Sequence, residues 1–196
     1  MDAFITRIVA ALLAVILQMP SVWAQPTVYL VRHAEKIPEW LSDDLDRYHP
    51  LSEAGMARAQ KLAGQFEKGS LAAIFSSPTT RTLHTVQPLA HKLWLQVEIA
   101  EACYDTSAMS ALLTVLQQRY KPEEAVLLVS HSHHLPHFLI KAGLPKACWR
   151  ELGLVAPEGT GEIMIEGYEN IWKIARLGET NKGCEGFSRR LFKGRE

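Results

Sequence analysis

Three short apolar runs, each ending in a burst of reactive polar residues, limit what this chain can fold into. Thr27 to Val31 (TVYLV) leads into Arg32-His33-Ala34-Glu35-Lys36. Leu71 to Phe75 (LAAIF) leads into Ser76-Ser77-Pro78-Thr79-Thr80-Arg81, and Ala125 to Val129 (AVLLV) into Ser130-His131-Ser132. Aliphatic and β-branched runs with no polar alternation are the mark of strands buried on both faces, as in a parallel sheet covered by helices.

The segments between them carry helical spacing. From Leu51 to Glu67, residues Leu51, Ala54, Met56, Ala59, Leu62, Ala63 and Phe66 form a stripe, with Ser52 placed as the N-cap. Helices are also expected over 78–92, 107–120 and 134–142, and a weak strand at Val97 to Ile99. Ile37 to Pro50 is polar, interrupted by prolines, and reads as a loop. Glu162 to Glu166 and Ile171 to Ala175 alternate around Gly167 and Asn170, which predicts a terminal hairpin or strand pair. Strand and helix in alternation predict an α/β fold: a single three-layer domain with a mostly parallel central sheet flanked by helices.

At 196 residues with 47% hydrophobic content, one domain has enough apolar material for a full core. Lys plus Arg equals Asp plus Glu, 21 each, so no basic excess points to nucleic acid and any cationic site must be local. The first residues differ from the rest. Arg7 precedes an apolar run, Ile8 to Met19, which is broken by Pro20 and followed by Val22-Trp23-Ala24. That is the layout of a cleaved signal peptide over 1–24, with the folded domain over 25–196. The expected location is periplasmic or secreted, with no stable membrane anchor after cleavage. The cysteines are Cys103, Cys148 and Cys184; the count is odd, so at least one is free or pairs between chains. A bridge between Cys148 and Cys184, with Cys103 free, and three unpaired thiols are equally open readings.

Ligands in open α/β sheets bind at the carboxyl ends of the strands, so the three reactive bursts can face one crevice. They deliver two arginines and two histidines, a set suited to a tetrahedral anion. Guanidinium matches phosphate oxygens in pairs, and neutral imidazole is a competent nucleophile near neutral pH. So cationic a pocket would repel a metal ion.

VYLVRHAEK, with Arg-His at a strand end, resembles the signature of the histidine phosphatase superfamily, the phosphoglycerate-mutase-like fold, in its compact exported branch. SSPTTRTLHT, LSEAG at 51–55 and VSHSHHLP are similar to three further segments of that family, in the same order. The resemblance implies a phosphoric monoester hydrolase with no cofactor. It makes His33 the phosphorylated nucleophile, Arg32 and Arg81 the phosphate clamps, and His131 the second pocket histidine. It implies a small phosphorylated substrate, with sugar phosphates of lipopolysaccharide core as one class. Asp105 or Glu101 is the implied general acid. Two positions depart from the family's habit: Ser130 stands where glycine is common, and His133 where asparagine is. His133, His134 and His137 would offer metal ligands only with a carboxylate or cysteine beside them, and no such residue sits at ligand spacing. The alternatives are a compact phosphohistidine phosphatase and a non-catalytic phosphate-binding module.

Overall fold

A computed structural model describes residues 25–156, 159, 161–179 and 183–192. The expected signal segment, 1–24, lies outside the described residues. The three apolar runs become β1 (Thr27–Arg32), β2 (Ala73–Ser76) and β4 (Ala125–Ser130); Val97–Ile99 is β3. The helices are α1 (Glu53–Ala63), α2 (Thr80–Leu93), α3 (Met109–Arg119) and α4 (Leu135–Lys141). Four strands complete the chain: β5 (Leu154–Val155), β6 (Met164–Ile165), β7 (Asn170–Ile174) and β8 (Phe187–Leu191).

The central sheet has the order β3-β2-β4-β1-β7-β8. Its first four strands run parallel, and β7 and β8 are added antiparallel at one side. Side chains alternate across it. Val28, Leu30, Phe75, Val126 and Leu128 pack with Met109, Leu113 and Leu116 of α3 and with Phe138 and Leu139 of α4. Val31, Ile74, Leu127 and Val129 pack with Leu62 of α1 and with Val86, Leu89 and Leu93 of α2 on the other face. This is the expected three-layer α/β arrangement. Among the described residues no helix is long and apolar enough to cross a membrane.

The helices fall where the stripes put them, with ends trimmed. Ser52 caps α1 as expected, its hydroxyl accepting from the Gly55 amide. Pro78 lies outside α2, whose N-cap is Thr79. The 37–50 segment is mostly irregular, but Asp43–Tyr48 winds into a 3-10 turn, and a bridge between Lys36 and Leu51 closes the loop.

The C-terminal hairpin is corrected. The segments at 162–166 and 171–175 do not pair with each other: β6 pairs with β5, whereas β7 lies between β1 and β8. The reason is burial. Ile171, Trp172 and Ile174 are almost wholly enclosed, on both faces of the strand, and only a place inside the main sheet can enclose them so. Gly167, at φ +73, makes the turn between the two pairings. Of the two cysteine readings, the structure has Cys148 bridged to Cys184, with Cα atoms 5.6 Å apart. Cys103 is free and buried, and desolvation pushes its thiol up to about 12.

Candidate active site

β1, β2 and β4 end side by side: Arg32 is in register with Ser130, and Ser76 with Val129. The residues that follow therefore converge on one edge of the sheet. His33, Arg81 and His131 are 5%, 6% and 2% exposed, and the His33 and His131 rings lie 5.2 Å apart.

The loop carrying His33 is held from several sides. The His33 amide donates to Ser130 O, continuing the β1–β4 ladder. The Ala34 amide donates to Thr85 Oγ1, and that hydroxyl donates to Arg81 O, so α2 holds the nucleophile loop and the arginine together. α1 presses on the loop from the other direction. Ser52 N donates to Glu35 O, and a side chain at Gly55 would collide with that same carbonyl. Arg58 binds Glu35 through Nε at 2.7 and 2.9 Å and also reaches Glu169.

Tautomers follow from the partners. His33 Nδ1–H donates to Ala34 O at 2.7 Å, which leaves Nε2 with its lone pair. Arg81 Nη2 can only donate, so His131 Nδ1 accepts from it at 3.4 Å and Nε2–H donates to Ser77 Oγ at 3.0 Å. Desolvation, with the charges of Arg81, Arg32 and Lys36 behind it, lowers His33 to about 3. Burial, reinforced by His33 and Arg81, pushes His131 well down as well. Both imidazoles are therefore held toward the neutral form near neutral pH.

Arg81 already holds an anion of the protein's own. Its Nη1 donates to Asp46 O at 2.6 Å, and Nη2 lies 2.9 Å from Asp46 Oδ2. Asp46 comes from the 3-10 turn in the 37–50 loop and also pairs with Lys36. The Nε atoms of Arg32 and Arg81 are buried without a hydrogen-bond partner among the described residues. Two unpaired guanidinium N–H groups beside two neutral imidazoles make a place for a tetrahedral anion.

The family model of the histidine phosphatase superfamily (branch 1) matches residues 28–109, which include Arg32, His33 and Arg81. That stretch of the chain is similar to the histidine phosphatase superfamily, the family its motifs resemble. His131 lies beyond the matched stretch but at the same sheet edge. Several solved structures share the fold. SixA of Agrobacterium tumefaciens is 19% identical, with a TM-score of 0.58 over 88% of this chain and 99% of its own. The protein histidine phosphatase SixA complexed with tungstate is 19% identical at a TM-score of 0.54, covering 76% of this chain and 87% of its own. A mycobacterial glucosyl-3-phosphoglycerate phosphatase with inorganic phosphate is 18% identical at a TM-score of 0.55, covering 85% and 95%. No curated protein sequence matches the chain.

The structure brings Arg32, His33, Arg81 and His131 together, and the two carboxylates expected as acids are both exposed to solvent, with Asp105 close enough to interact with His134. Asp105 is exposed and caps a short turn: Oδ1 accepts from Ser107 N and Oδ2 from Ser107 Oγ, both at 2.8 Å, and these bonds lower its pKa. Glu101 is exposed on the turn Glu101–Cys103, with no side-chain hydrogen bond among the described residues. Ser130, where the family often has glycine, donates to Cys103 O at 2.6 Å and so ties β4 to the loop after β3. α4 begins at Leu135, so His133 sits in the preceding turn rather than on a helical face shared with His137. Among the described residues no three His, Cys, Asp or Glu side chains are grouped to hold a metal ion. His134 stacks on Tyr104, and desolvation lowers it to about 4.

Two residues of the site were not legible in the sequence. One is Asp46, hidden in the polar 37–50 loop. The other is Tyr168, from the turn between β6 and β7. Arg32 Nη2 donates to Tyr168 Oη at 3.2 Å, the guanidinium carbon lies 4.0 Å from the Tyr168 ring centre, and that ring is 6.0 Å from His33. The one usable signal was the Gly167-Tyr168 turn itself, which reaches Arg32 only if β7 runs antiparallel beside β1.

Proposed function

We propose that this chain is an exported phosphatase that hydrolyses phosphomonoesters without a metal ion, through a phosphohistidine on His33. The observation that carries the reading is the state of His33: buried, held neutral, its Nδ1–H committed to Ala34 O, and its Nε2 lone pair beside two arginines with unpaired Nε–H groups. In the first step Arg32 and Arg81 hold the phosphoryl oxygens while Nε2 bonds to phosphorus and the ester P–O bond breaks. Water then cleaves the N–P bond and releases phosphate. The guanidiniums supply the positive charge that a metal ion supplies in other phosphoryl-transfer sites.

The substrate is a small phosphorylated molecule, and sugar phosphates are the class we favour; a mycobacterial relative of the same fold is a phosphatase of glucosyl-3-phosphoglycerate. Export is supported by the Cys148–Cys184 bridge, since disulfides persist in oxidising compartments. It requires removal of 1–24, which leaves a mature chain that starts at Gln25.

One experiment tests the reading. Purified protein is assayed on p-nitrophenyl phosphate before and after exhaustive EDTA treatment, alongside His33→Ala. The expected result is chelator-resistant turnover by the wild type, with acid-labile phosphate trapped on it and none on His33→Ala. Activity that disappears with EDTA and returns with a divalent ion contradicts the metal-free mechanism. Phosphate binding without turnover leaves the non-catalytic module as the function.

A further inference from the structure

A phosphatase of this design needs a proton for its leaving group, and the two carboxylates expected to supply one are both exposed to solvent. Asp105 has both oxygens on Ser107, in full solvent, and is held below the ordinary carboxylate range, so it carries no proton near neutrality. Glu101 is exposed and makes no side-chain hydrogen bond among the described residues. Tyr168 is half-buried over Arg32, its ring 6.0 Å from that of His33. Its oxygen accepts from Arg32 Nη2, and it makes no other hydrogen bond among the described residues. Because an arginine can only donate, this bond uses a lone pair of the phenol and leaves the phenolic proton free to be given away. The same guanidinium is positioned to stabilise the phenolate that forms.

We propose that Tyr168 is the proton donor to the leaving group, a role that rests on the phosphohistidine reading of His33. As His33 Nε2 bonds to phosphorus, the P–O bond to the alcohol breaks and its electron pair stays on oxygen. That oxygen takes the Tyr168 proton, and a phenolate remains hydrogen-bonded to Arg32. Water then attacks the phosphorus of the phosphohistidine and gives a proton to the phenolate. The N–P electron pair returns to Nε2, phosphate departs, and the site is restored.

The test uses leaving groups of different need. An alkyl phosphate such as glucose 6-phosphate expels a basic alkoxide that must be protonated, whereas nitrophenolate departs unaided. Tyr168→Phe keeps the ring on Arg32 and removes only the hydroxyl. It should lower kcat/KM for the alkyl phosphate by about 100-fold or more and for p-nitrophenyl phosphate by less than about fivefold, the signature of a lost general acid. Equal losses on both substrates would mean that Tyr168 only positions Arg32, and they overturn the proposal. So does an unchanged rate on both, a wild type that hydrolyses no alkyl phosphate, or the selective loss appearing in Asp105→Asn or Glu101→Gln instead. His33→Ala, run beside them, separates the two ideas. If it is dead on both substrates, the nucleophile stands whatever Tyr168 does; if it is active, the phosphohistidine reading itself fails.

Discussion

From Thr27 to Lys141 the chain alternates strand and helix, and its central strands are continuous apolar runs. From Leu154 to Leu191 it forms four short strands, and one of their pairings, β7 with β1, reaches far back in sequence. The first region is built by local rules. Strands that follow one another in the chain are joined by helices that cover the sheet, so periodicity announces the elements and the α/β alternation announces the class of arrangement. The second region is built by its partners. β7 is placed by β1, β8 by β7, and the bridge from Cys148 to Cys184 fastens the approach to β8. The proposed site crosses the division: the first region supplies His33, Arg32, Arg81 and His131, and the second supplies the tyrosine that covers one of the arginines.

The largest test of that division is chemical. If the first region carries phosphate recognition, Arg81→Ala lowers kcat/KM on p-nitrophenyl phosphate by about 10³-fold, the scale for losing a charged group aimed at the transition state. Near-wild-type steady-state kinetics would break the comparison at its centre. Next comes packing. Leu128 is fully buried in the middle of the sheet, so Leu128→Ala costs about 2–5 kcal/mol of unfolding free energy, and Leu154→Ala, in the two-stranded sheet, falls at or below the lower end of that range. Equal shifts in urea midpoint would show that the two regions share one cooperative core on equal terms. The cross-link follows: Cys184→Ser costs about 2–4 kcal/mol, compared by thermal melts of oxidised proteins. Thiol titration of unfolded, unreduced wild type should find a single reactive group, Cys103.

A smaller effect depends on pH. Histidines 33, 131 and 134 all have lowered pKa values in the fold, His33 about 3 and His134 about 4, against 6.5 for free imidazole. The unfolded chain takes up their protons near pH 6.5 while the folded chain does not. Stability is therefore full above that pH and declines as pH falls from there toward 4. The slope is about 1.4 kcal/mol per pH unit for each proton taken up only by the unfolded state. Denaturation midpoints across pH 7 to 4 measure it, and His134→Gln should flatten the decline. By the same lowering, the acid side of the pH–rate profile on an aryl phosphate should show no break from His33 at the ordinary imidazole value. The smallest change is Ser130→Gly. It removes the hydroxyl that holds Cys103 O and costs about 1 kcal/mol, with turnover within a few-fold of wild type.

What the sequence made legible tracks the same division. β1, β2 and β4 could be read because burial on both faces leaves an uninterrupted apolar signature. β8 could not, because FSRRL at a sheet edge has neither an apolar run nor clean alternation. β7 was recognised as a strand but given the wrong partner, since nothing local in Asn170–Ile174 names β1. In the site, the four residues of the apolar runs and their neighbours were legible because each follows a recognisable strand or helix start. Asp46 and Tyr168 were not, because a carboxylate in a polar loop and a tyrosine in a turn acquire meaning only from what the fold sets against them.

The pairing of Asp46 with Arg81 has a consequence for how the site tells anions apart. On the phosphatase reading, a phosphate that takes the Nη groups of Arg81 displaces a carboxylate tethered at the same guanidinium, an internal competitor whose local concentration cannot be diluted away. The measured affinity is then a difference between two bonds. On that reading weak monoanions, which offer Arg81 no more than Asp46 already does, compete poorly. A doubly charged phosphoryl group with several acceptor oxygens can win the exchange, so the threshold for entry is set by the protein's own side chain.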